Sequence, residues 1–123
     1  MLQSLRASEN DVRMTKVVVN PGACGMPATI EVRKKDAKTY TLKISSECKM
    51  VVKLGKAVPE LTMMDAFRRI QDNPVFMKGA TCLKHVACPV PSAILKALEV
   101  EAGLNVPKDV SVTFVKEEKD ESR

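Results

Sequence analysis

The sequence predicts an α+β fold: a single domain with a mostly antiparallel four-stranded sheet, helices on one face, and the order β-β-β-α-α-α-β. Three observations carry this expectation. Ala28, Ile30 and Val32 alternate with Thr29, Glu31 and Arg33, and past a polar turn at 34–38, Tyr40, Leu42 and Ile44 alternate with Thr41, Lys43 and Ser45. That period of two marks a hairpin with one buried and one wet face. Three later stretches repeat apolar residues at helical spacing. A last alternating run, Val110, Val112 and Phe114, follows the turn signal Pro107-Lys108-Asp109. Strands with one apolar face each suit a sheet covered on a single side.

Taken in order, residues 1–14 show no sustained period and read as a flexible leader before a domain spanning 15–116. Lys16 to Asn20 is a β-branched run closed by Asn-Pro-Gly, a strand stopped by a turn. The 28–45 hairpin follows. Met50, Val51, Leu54, Ala57 and Val58 then line one side of a helix, with Lys49, Lys53 and Lys56 opposite. Ser45 or Ser46 is placed to cap it, which puts Cys48 in the first turn. Thr62 caps a second helix whose face is Met63 or Met64, Phe67 and Ile70, and Asn73-Pro74 ends it, because the residue before proline avoids helical geometry. Residues 75–87 read as a loop with room for a turn of helix, holding Cys82 and His85. A third helix begins around Cys88-Pro89, presents Ile94, Leu95, Leu98 and Ala102, and stops at Gly103. The last strand, at 110–114, is expected beside the first. The all-polar 117–123 is a charged tail.

Composition narrows the function classes. At 123 residues the chain can bury roughly two-thirds of its unfolded surface and needs no staple to have a core. Only 3% of residues are aromatic and none is Trp, which removes the stacking platforms that single-stranded nucleic acid needs. The net charge of +5 is spread among interleaved acids, a solubilising pattern that weighs against a nucleic-acid partner. No apolar run reaches the roughly 20 residues of a membrane span, and the polar first residues carry no secretory signal. A cytoplasmic location follows as the expectation, and there stable disulfides are disfavoured.

The four cysteines then point to metal or redox chemistry. They run Cys24-x23-Cys48-x33-Cys82-x5-Cys88, and all four are candidate ligands of one centre. Zinc and iron both accept four thiolates in tetrahedral array. The spacing lacks the paired C-x2-C of a zinc knuckle, so an iron–sulfur cluster, [4Fe–4S] in form, is the leading expectation and zinc the alternative. Cys48 and Cys88, at expected helix starts, sit where free amides and the helix dipole favour the thiolate. His85 lies three residues from both Cys82 and Cys88, which keeps a Cys3His site open, although a supporting or surface role suits it better.

The function expected is electron transfer or cluster delivery to a larger partner enzyme. The alternatives are a zinc-stabilised or metal-free interaction module and cysteine-based sulfur or thiol transfer. No catalytic residue is assigned. A single His leaves no third group to orient a Cys–His pair, and Gly22, Gly25, Gly55, Gly79 and Gly103 have no phosphate-loop spacing.

The segments Asn20-Pro-Gly-Ala-Cys24-Gly25, Ser46-Glu47-Cys48 and Cys82-Leu-Lys-His-Val-Ala-Cys88-Pro89 together resemble a small uncharacterised four-cysteine domain family of anaerobic bacteria and archaea, over about Lys16 to Lys116. The resemblance implies a setting, an anaerobic cytoplasm in which iron–sulfur centres are common, and no activity or ligand assignment.

Overall fold

The computed structural model describes residues 14–116. It is an α+β domain built on one open, four-stranded antiparallel sheet with three helices. The strands are β1 (Thr15–Val19), β2 (Ala28–Lys34), β3 (Thr39–Ser46) and β4 (Glu60–Thr62), in spatial order β1-β2-β3-β4. The helices are α1 (Lys49–Ala57), α2 (Pro74–Cys82) and α3 (Val90–Glu101). Among the described residues, no helix is long and apolar enough to cross a membrane.

The hairpin forms in the register its alternation dictates, with Ile30 opposite Ile44 and Val32 opposite Leu42. Ala28, Ile30, Val32, Tyr40 and Leu42 are buried on the inner face. There α3 covers β1 and β2 with Ile94, Ala97 and Leu98, while α1 covers β3 with Val51 and Leu54. Gly55 of α1 lies so close to β3 that a Cβ there would stand 3.0 Å from Ile44 Cβ. The outer face is polar. Across it, Glu31 faces Lys16 on one neighbouring strand and Lys43 on the other, a rung of alternating charge.

Three expectations are corrected. The fourth strand is the three-residue β4, paired with β3, and 110–114 is irregular chain with Val112 and Phe114 88% and 97% exposed. Its pairing with the first strand is therefore not made. The expected helix after Thr62 consists of two 3-10 turns, Met63–Ala66 and Ile70–Asp72, with Phe67 and Ile70 exposed. Thr62 does cap the first, and Asp65 accepts from the Thr62 amide at 2.8 Å. The expected loop at 75–87 contains α2 instead. Pro74 starts that helix rather than ending the previous one. It occupies the first turn, where a missing N–H costs nothing, and Asn73 Oδ1 accepts from the Val75 amide at 3.0 Å.

Gly103 ends α3 as expected. At φ +77° its amide donates to the Val100 carbonyl and that of Leu104 to Glu99, closing the last turn. Of the leader assigned to 1–14, residues 1–13 fall outside the described residues, as does the tail at 117–123.

Candidate functional site

The two ends of the sheet can be told apart by their rungs. One end carries Val19, Ala28 and Ser46, which face one another across β1, β2 and β3. The other carries Thr15, Lys34, Tyr40 and Thr62. The positions of all four cysteines follow from how each segment meets these ends.

Cys24 lies in the β1–β2 loop, directly at the first end. Cys48 caps α1 two residues after Ser46, and α1 then runs back until the Pro59 carbonyl accepts from Leu42 at 2.9 Å. α3 finishes at the second end, where the buried Glu101 carboxylate accepts from Thr15 Oγ1 at 2.7 Å and from the Lys34 amide at 3.0 Å. Twelve helical residues rise about 18 Å, so Cys88, just ahead of α3, is returned to the first end. α2 likewise starts at the second end, where Asn73 Nδ2 donates to the Asp65 carbonyl at 2.7 Å. Its later half meets the start of α3, since a Cβ on Gly79 would stand 3.7 Å from Pro91 Cγ. Cys82, its last residue, thus joins the other three. The fold carries four separate segments, and their four cysteines, to one pole.

The local chemistry of the pole differs from cysteine to cysteine. All four thiols are free; Cys24 is exposed, Cys88 half-buried, and Cys48 and Cys82 buried within the core. The Cys24 loop is shaped by two residues in the left-handed region, Gly22 at φ +89° and Gly25 at φ +69°, which only glycine adopts without strain. Its turn closes when the Gly25 amide donates to the Gly22 carbonyl at 2.9 Å.

Ser46 ties this loop to the next cysteine. Its hydroxyl donates to the Pro27 carbonyl at 2.9 Å and accepts from the Cys48 amide at 3.1 Å. The expected capping serine is therefore present but acts one step earlier, and Cys48 itself is the N-cap. Cys82 differs from expectation too, standing as the last residue of α2 at a helix C-terminus. Its Sγ lies 3.8 Å from Thr81 Oγ1.

The side chains share a pole without forming a ligand set. Among the described residues, no three His, Cys, Asp or Glu side chains are grouped closely enough to hold a metal ion. The donor chemistry of four free thiols suits an iron–sulfur cluster or zinc. His85 is exposed, and its backbone carbonyl accepts from the Cys88 amide at 3.2 Å.

Sequence reasoning missed the buried polar residues that hold these segments in place: Asp65, Asn73 and Glu101. The signals for them were Thr62-x-x-Asp65, which has capping-box spacing, and Asn73-Pro74, which has the form of a cap followed by a first-turn proline; Glu101 had none.

No curated protein and no solved structure matches the chain. A family model covering residues 15–114, and so each of the four cysteines and the elements that carry them, does match, and by that match the chain belongs to a family of unknown function, DUF6951.

Proposed function

We propose that the chain is a small iron–sulfur protein of the cytoplasm. Cys24, Cys48, Cys82 and Cys88 would hold a cluster of the [4Fe–4S] type, which passes electrons, or is itself passed, to a larger partner enzyme. What supports this proposal is that four separate segments each bring a free cysteine toward the same end of the sheet. Two helices begin at that end, α1 on Cys48 and α3 two residues beyond Cys88. The first-turn amides of α1, and those of Val90 and Ser92 on either side of Pro91 in α3, suit thiolate and sulfide. The bound cluster would supply one-electron chemistry. The chain's own part would be to shield it with the core behind Cys48 and Cys82 and to present the exposed Cys24 side to the partner.

Anaerobic purification with iron and acid-labile sulfide analysis tests the proposal. The expected outcome is a brown protein with roughly four irons per chain, and loss of that iron in Cys24→Ser and Cys88→Ser. Iron-free protein after anaerobic reconstitution refutes it.

A second reading, a metal-free interaction module, is favoured by the burial of Cys48 and Cys82 among apolar side chains, where cysteine behaves as a small hydrophobe. It predicts no bound metal and no change in melting temperature on chelation. Zinc near one equivalent, with melting lowered by a chelator, would instead identify the zinc-stabilised form.

A further inference from the structure

We infer that residues 110–115 form an arm that adds as a further strand to the β1 edge of a second copy of this chain. Val110, Val112, Phe114 and Val115 are 61%, 88%, 97% and 80% exposed. Isolated exposed apolar residues are ordinary, but four within six consecutive residues are not. Val110, Val112 and Phe114 alternate with Ser111 and Thr113, the pattern of a strand that lays one face on a surface. No backbone hydrogen bond joins 109–116 to other described residues, so the segment has the side chains of a strand and lacks the ladder.

The matching ladder lies close by. β1 pairs only with β2, and its other edge has no strand partner among the described residues; its outward Val18 is 68% exposed. A free edge of this kind is a template for an added strand. The arm leaves the domain at the start of that edge, because Glu101 at the end of α3 is bonded to Thr15, the first residue of β1. The eight residues 102–109 can span up to about 27 Å. The arm does not lie on its own edge, and a reciprocal exchange, in which each arm lies on the β1 edge of the other copy, relates the two chains by a twofold axis. Such an exchange is self-complementary, as a closed dimer requires. Four large apolar side chains from each arm, with the surface they cover, come to on the order of the 1,200–2,000 Å² of a specific interface.

Sedimentation equilibrium of the full chain, combined with amide exchange, tests this. The expected result is twice the monomer mass at micromolar concentration, reverting to the monomer in Val112→Lys/Phe114→Lys with the circular dichroism spectrum retained. Amides of Thr15–Val19 are expected to lose protection in that variant while those of β2 and β3 keep it. A chain that is monomeric throughout the micromolar range overturns the inference. So does a dimer that survives the double substitution, or one that dissociates without any change at β1. Protection of the arm in a monomer would show that it folds back on its own edge, and a complex with a different protein but no self-association would assign the arm to another partner; either result also overturns it.

Discussion

Replacing Gly55 by alanine sets two effects of known sign against each other. In a helix interior, alanine is favoured over glycine by about 1 kcal/mol, so α1 taken alone would gain. Packing opposes this. The new Cβ would stand 3.0 Å from both Cβ and Cγ1 of Ile44 and 3.2 Å from its Cδ1, where carbon atoms prefer roughly 3.5–4.0 Å. Ile44 cannot swing aside, because a Cβ moves only with its backbone, and that backbone is held in β3 opposite Ile30 of β2. α1 must lift instead, and overpacking of this kind costs about 1–3 kcal/mol. With overpacking at the middle of that range, about 2 kcal/mol, the net expectation is a loss of about 1 kcal/mol, or roughly 5 °C in melting temperature for a domain of this size.

Gly79 supplies the control. It is also buried in a helix, but its added Cβ would meet Leu83 and Pro91 at an ordinary 3.7 Å, so Gly79→Ala should melt at or above the wild-type temperature. Thermal unfolding followed by circular dichroism reads both. A Gly55→Ala protein as stable as the parent, or a Gly79→Ala protein less stable than Gly55→Ala, would refute the placement of α1 on β3.

Three further outcomes are expected. Asn73→Ala removes a helix cap and orphans the Asp65 carbonyl, a loss of about 2–3 kcal/mol in denaturant unfolding; Asn73→Asp keeps the cap but turns an oxygen toward that carbonyl, so stability equal to wild type would contradict the assigned hydrogen bonds. Glu101→Ala leaves the Lys34 amide and Thr15 hydroxyl without their acceptor and is expected to cost about 2–3 kcal/mol, with faster exchange of the Lys34 amide as the local sign. The backbone amide of Lys38, then the hydroxyl and amide of Thr39, hold the Asp36 carboxyl below its ordinary value; its contribution to the β2–β3 turn is thus complete above the ordinary carboxylate range and is lost as pH falls through the lowered value, and an NMR titration placing Asp36 at or above the ordinary value would be inconsistent with the turn.

The parts of the fold legible in the sequence are those in which a single segment decides its own structure. The 28–45 hairpin was readable because both strands bury one face and each alternates throughout. The Thr62 cap and the Gly103 stop were readable because their chemistry is local. Misreadings arose where a second segment decides. Asn73-Pro74 is equally good grammar for an ending and a beginning, and only the contact of Asn73 with the Asp65 carbonyl makes it a beginning. β4 is three residues long and exists because the edge of β3 is there to receive it. Val110 to Phe114 has a strand's pattern, but a pattern states what a segment could bury and not whether a neighbour is present.

The cysteines followed the same division. That Cys24 and Cys48 each follow a strand was visible. That Cys82 ends a helix, and that the helix points back to the same pole, depended on the buried contacts of Asn73 and Glu101.

The charged rung on the outer face has a consequence for how the sheet finds its alignment. Burial of alternate residues enforces the inside and the outside of β2, so a slip of one residue is excluded outright. A slip of two is invisible to it, since Ala28, Ile30 and Val32 would simply exchange places along the inner face. The outer rung can tell these arrangements apart. Sliding β2 two residues one way puts Arg33 between Lys16 and Lys43, three cations abreast; sliding it the other way leaves Thr29 there and both lysines without a counter-charge. Each cross-strand charge pair is worth roughly 0.2–1 kcal/mol, too little to hold a sheet together but enough to bias the choice between two alignments that the core would accept equally. Glu31 thus acts as an index mark for the three strands.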